Sequence, residues 1–248
     1  MKIKFIFLFI LSCFSLDAFF ESERDEPIDL TMRWGFIKNE IGFFQHQCSP
    51  ERIKKLSNEL VETRKQLAVQ LNLQWEDKPF QFRIYSNQRV YTQLLQFSAK
   101  RNIHFNPSQR MLVSHCYVST KMLRKTFIFS LFGDTPLRYA LKSLIAELFS
   151  HDDPWESAMQ LQTENASGKL IQLDEVVPKK LIPVLIKNHE IDSGEMGLVF
   201  AWSKYLQKHH KLQAFLRVVV ERAYADDTGI DAVFSFWVQN DDVDDDAL

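Results

Sequence analysis

Glycine and cysteine are both scarce in this chain, seven and three among 248 residues. No group of glycines forms a phosphate-binding loop, which removes the commonest sequence route to nucleotide binding. A surplus of basic charge is missing as well. With 30 Lys and Arg against 32 Asp and Glu, the formal charge is -2 and no nucleic-acid partner is expected. What is present is an ordinary globular composition, 46% hydrophobic and 25% charged, large enough for one substantial domain. Its 21 Phe read first as core.

The amino terminus, "MKIKFIFLFILSCFSLDAFF", pairs Lys2 and Lys4 with an apolar run from Phe5 to Leu16 and the small residue Ala18. That is the layout of an export signal, residues 1–18, with cleavage after Ala18. The run is shorter than the roughly 20 residues that span a bilayer. A second reading is open at Cys13: "ILSC" resembles the bacterial lipoprotein signal, and lipidation there is the membrane contact this sequence suggests. Either way the expected location is the periplasm or the exterior. Removal of the leader leaves Cys48 and Cys116, and an oxidising compartment predicts one disulfide between them; two buried free thiols are the other reading. Cys116 beside His115 is no nucleophile–base pair, because neighbours on a strand point to opposite faces.

Residues 19–50 read as a lead-in with little periodicity. "SPERIKKLSNELVETRKQLAVQLNL" then opens on Ser49 and Pro50 and repeats Ile53, Leu56, Leu60, Leu67 and Leu71, a long amphipathic helix. "FQFRIYS" alternates as a strand and "NQRVYTQLLQFSAKRN" follows as a helix. "QRMLVSHCYVST" and "KTFIFSLF" read as two more strands, paired with each other. A helix from Pro136 to Ser150, capped by Asp134 or Thr135, comes next. Further helices are expected from Pro154, from Asp174 to Lys187, from Gly194 to His209, from Leu212 to Ala225 and from Thr228 to Val238. The predicted organisation is one α+β domain over 51–238, a small sheet with helices followed by a mostly helical half, with an acidic tail at 239–248.

In the first of these later helices, Leu137, Leu141, Leu144, Ile145 and Leu148 share one side and Tyr139, Ser143, Ala146 and Ser150 the other, which is small and polar as a cleft-facing surface should be. The words "LRYALKS" at 137–143 and "PWESAMQ" at 154–160, in this order of elements, resemble the gluzincin or peptidase MA-like domains of exported bacterial proteins. In that family "L-R-H-E-x-x-H" and a later "P-x-W-[aliphatic]-[small]-E-G" supply a zinc site. The resemblance puts Tyr139 and Ser143 in the two histidine places, Ala140 in the general-base place and Ala158, three residues after Trp155, in the third-ligand place. None can serve.

The implied protein is therefore a metallopeptidase-like fold with no catalytic residues, metal ligands or cofactor. Its groove, lined by Tyr139, Ser143, Ala146 and Ala158, would bind a peptide or protein partner, with the Tyr139 hydroxyl seeking Ser143 or a backbone carbonyl. Two alternatives stand beside it: a hydrolase built on His151 and Asp152, and a structural envelope protein. Glu147 reads as an ordinary solvated helix residue, and "NHEIDS" at 188–193 lacks a second histidine.

Overall fold

The computed structural model describes residues 33–75, 78–95, 102–133, 135–163, 171, 178–225, 233 and 237. The chain divides into two units, Met1–Arg33 and Trp34–Leu248, and the second carries everything reported below. Cys13, the export signal and the acidic tail lie outside the described residues.

Among the described residues the fold is α+β, a five-stranded mixed sheet with eight helices. The strands are β1 (Gly35–Asn39), β2 (Gly42–His46), β3 (Phe80–Tyr85), β4 (Ile103–Asn106) and β5 (Met111–His115), in the order β1-β2-β3-β5-β4. The central pairs β2–β3 and β3–β5 are parallel, and the outer pairs β1–β2 and β4–β5 antiparallel. Two of these strands fall in the stretch read as a lead-in. The β1–β2 hairpin is hard to see in sequence because Phe36 and Phe43 are exposed, which blurs the apolar alternation. Its turn needs Gly42: the residue sits at φ 153°, and a Cβ there would collide with the carbonyl of Phe80, its register partner on β3.

One face of the sheet is a wall of rings. Phe44 stacks on Phe82 across the β2–β3 register at 4.1 Å between centroids. Helix α1 (Pro50–Gln70) covers this side with Ile53, Leu60 and Leu67, and starts where Ser49 accepts a hydrogen bond from the Arg52 amide. Helix α3 (Thr120–Leu131) brings Phe127 against Phe80 and Phe82, at 5.3 and 5.9 Å. This corrects the strand expected at "KTFIFSLF". The segment is helical because Ser119 caps it and Leu123, Phe127 and Leu131 recur on the turn, burying one stripe; a strand would have split them between two faces. The strand that pairs with β5 is instead β4, returned by a turn in which Asn106 accepts from the Ser108 hydroxyl and Arg110 takes a positive φ.

On the opposite face, α2 (Gln88–Leu95) sets Tyr91 against Tyr85 and His115. The helical half stacks outward from α3: α4 (Tyr139–Phe149) lies along it, followed by α5 (Pro154–Gln160), α6 (Pro178–Leu185), α7 (Ser193–Lys208) and α8 (Leu212–Ala225). Helix α4 begins three residues later than Pro136. Arg138 occupies its cap and makes no side-chain bond to the amides of the first turn, and the Tyr139 amide is satisfied by the Lys187 carbonyl at 3.3 Å. Thr135 does not cap it; its hydroxyl donates to Phe132 O. Asp134 lies outside the described residues, as does most of the helix expected over 228–238, of which Val233 and the buried Trp237 are described as helical. Among the described residues no helix is long and apolar enough to cross a membrane.

Cys48, at the end of β2, and Cys116, at the end of β5, form a disulfide with a Cα–Cα separation of 5.7 Å. Since β3 lies between those strands, the bridge passes across its carboxyl end.

Candidate functional site

The apolar stripe of α4 is buried as its period demands: Leu137, Leu141, Leu144, Ile145 and Leu148 are all 3% exposed or less. The other side of the helix is divided. Tyr139 and Ser143 line a cavity of about 520 Å³ between α3, α4 and the start of α7, with Met122, Lys125, Phe129, Ile191, Asp192 and Met196 around them. Ala146 and Ser150, further along the same side, are buried and do not line it. The expected groove is thus shorter than the helix face that suggested it.

The Ser143 hydroxyl lies close enough to the Tyr139 phenol, one turn away, to act on its pKa. Phe129 meets the Tyr139 ring edge-on at 5.3 Å and holds it in place. Burial above all, and then the charge of Glu190, push the phenol above its ordinary pKa, while Ser143 acts the other way. The pair is therefore a neutral phenol–hydroxyl couple at neutral pH.

Of the other residues singled out by sequence, Ala140 and Ala158 are fully buried in the core and do not line this cavity. Trp155 is half-buried; its indole N–H donates to Gln70 Oε1 at 3.3 Å and its ring meets Phe149 edge-on. It anchors α5 to α1 and α4 and opens into no cavity with Tyr139. Of the four residues expected to line a groove, Tyr139 and Ser143 line the cavity, and Ala146 and Ala158 are fully buried.

Glu147 also departs from its expected solvated state. It sits at the α3–α4 interface, 18% exposed, accepting from Lys125 and paired with Lys121 at 3.3 Å; His151 Nε2 lies 3.7 Å from the same carboxylate. Burial acts to raise this carboxyl, but the hydrogen bond and charge of Lys125, joined by Lys121, hold it below the usual range.

The cluster at 151–153 diverges. His151 turns to Glu147, Asp152 to Arg124 at 2.9 Å, and Asp153 caps α5 by accepting from the Trp155 and Glu156 amides. Similarly, "NHEIDS" ends in a cap, with Asp192 and Glu195 forming a capping box at the start of α7. Among the described residues no three His, Cys, Asp or Glu side chains gather where a metal ion could be held. The signal that sequence reading missed was Lys125: once residues 125–132 are helical, it faces both the cavity and Glu147.

No family model matches the chain, and no curated protein is similar enough to count as a relative.

Proposed function

We propose that this chain is an exported, non-hydrolytic binding protein on a metallopeptidase-like fold, and that the cavity beside Tyr139 receives an apolar side chain of a peptide or protein partner. The observation that carries the reading is that Tyr139 and Ser143 share the wall of this cavity, close enough to interact. In the family that the sequence resembles, these two positions hold imidazoles on a metal. Here a phenol and a hydroxyl stand in their place.

The rest of the lining points the same way. Hydrolysis needs a group that lowers the pKa of water, or a nucleophile with a base in reach. The cavity offers a raised phenol, a serine hydroxyl, an ammonium already engaged by Glu147, and Asp192, whose carboxylate accepts from the Glu195 amide. None of these would activate water or the serine at neutral pH. Met122, Phe129, Ile191 and Met196 make the remaining surface apolar and, through the two thioethers, adaptable. Such a space suits a side chain anchored without turnover. Export rests on the pattern of residues 1–18, with Cys13 as the place of a lipid anchor.

A phage-displayed peptide library selected on the purified chain tests this. Enriched peptides should share an apolar residue, remain uncut, and bind Ser143→Trp, whose indole fills the cavity, at least about tenfold more weakly. Enriched peptides that bind Ser143→Trp as tightly as the unaltered chain, or that are cleaved, overturn the reading.

A further inference from the structure

A second cavity, about 190 Å³, shares no lining residue with the first and lies outside the carboxyl ends of β3 and β5, between α1 and the first turn of α3. Crevices at the carboxyl ends of parallel strands are the usual ligand sites of open sheets with crossover helices. Its wall includes the Cys48–Cys116 disulfide, but its character is set by three other features.

The body is apolar, formed by Ile84 from the sheet, Leu56 from α1 and Leu123 from α3. At its sheet side is Ser114, which register places beside Ile84, on the face that α1 and α3 cover. Ser114 is 1% exposed and contributes to the cavity wall. His115, next along β5, turns its ring to Tyr91 on the other face.

The mouth is cationic. Arg52 and Lys55 of α1 border the cavity, are exposed, and form no ion pair among the described residues. One carboxylate, Glu59, is also in the wall, and it is opposed by Arg124 at 3.9 Å.

From these observations we infer a binding site for a small carboxylate with an apolar body. The body would lie between Leu56, Ile84 and Leu123, within reach of the Ser114 hydroxyl, and the carboxylate would meet Arg52 and Lys55. The volume sets the size. A cavity of about 150 Å³ holds benzene, so one of about 190 Å³ takes a ring or branched chain carrying a single small polar group.

Benzoate is the probe, and its neutral isostere benzamide the control. In amide NMR spectra of the purified chain, benzoate should shift Ser114, Cys116 and Thr120 saturably in the millimolar range, and benzamide should bind about tenfold more weakly. The double variant Arg52→Gln/Lys55→Gln, on exposed side chains that cost the fold little, should weaken benzoate about tenfold and leave benzamide unchanged. Ser114→Leu should abolish both. If that variant does not fold, the charge variant and the isostere decide alone. Equal binding of benzoate and benzamide, benzoate affinity unaffected by the double variant, or no saturable shift at these amides would overturn the inference. The Tyr139 cavity is separate, so Ser143→Trp should leave benzoate binding intact whatever its effect on peptides.

Discussion

The Ser143 hydroxyl and the Tyr139 phenol lie within interaction range across one turn of α4, at the wall of a cavity that no imidazole lines. Their pairing makes a prediction of sign. Burial and Glu190 raise the phenol and Ser143 lowers it, so Ser143→Ala should move the Tyr139 pKa further up and Glu190→Gln should move it down. Because the folded pKa is above the unfolded one, the linked stability is present below pH 10 and is lost as pH rises through the folded value. Titration of carbon-labelled tyrosine by NMR reads the shift directly; the two variants moving it the same way would contradict the pair.

His115 gives the opposite pH dependence. Burial lowers its pKa below 6.5, its Nδ1 accepts from the Tyr117 amide at 3.3 Å, and its Nε2 is buried with no partner among the described residues. The unfolded chain therefore binds the proton more readily than the folded one. Stability should be complete above pH 6.5 and fall as the pH drops from there through the lower folded value. His115→Phe should flatten that decline, measured as urea midpoints between about pH 7 and 5. An unchanged slope would mean the imidazole is not held neutral.

Some of this was legible in the sequence and some was not, for identifiable reasons. Helix α1 announces itself because Ile53, Leu60 and Leu67 keep a helical period and Ser49-Pro50 marks the start. The two sides of α4 were readable for the same reason, and Tyr139 and Ser143 fall where the period puts them. Ala146 and Ala158 were not readable: small residues fit a groove and a tight helix crossing equally well, and packing set by residues far along the chain decides between them. Residues 125–132 failed differently. Phe127, Ile128 and Phe129 are strong strand formers, and burial of Phe127 under the sheet overrides that local preference.

Glu147 ties α4 to α3 through Lys121 and Lys125. Glu147→Gln should cost about 1 kcal/mol at neutral pH, a modest figure because both lysines are half exposed and screened. The carboxyl is held below its ordinary 4.5, so the contribution is present above that pH and lost as pH falls through the folded value. Denaturant unfolding of the two proteins should accordingly converge in acid. A difference that persists undiminished at pH 2 would point to packing of the side chain and away from its charge.

The disulfide closes a loop with a sequence separation of 68 between Cys48 and Cys116. On chain entropy alone, replacing both cysteines by serine should lower stability by about 4 kcal/mol. Alkylation without reductant should find both thiols blocked in the unaltered protein, and mass spectrometry should recover their peptides linked. Two freely alkylated thiols would leave the end of β3 without its bridge, and the stability difference should then vanish.

The correction at residues 125–132 carries the most direct mutational test. In a helix, Phe127 points into the ring wall and touches Phe80 and Phe82, whereas Thr126 and Phe129 are only partly buried. Phe127→Ala should therefore cost about 3–5 kcal/mol, the range for removing a large side chain from a core that cannot collapse around the loss. Ser119→Ala, which removes the hydroxyl accepting from the Met122 amide, should cost about 1 kcal/mol. The cap result separates the two conformations, since a strand over 125–132 has no use for a hydroxyl at position 119. Losses of that size at both positions, read from denaturant midpoints at constant slope, fit only the helix; a silent Ser119→Ala would reopen the strand and remove Lys125 from the wall of the cavity.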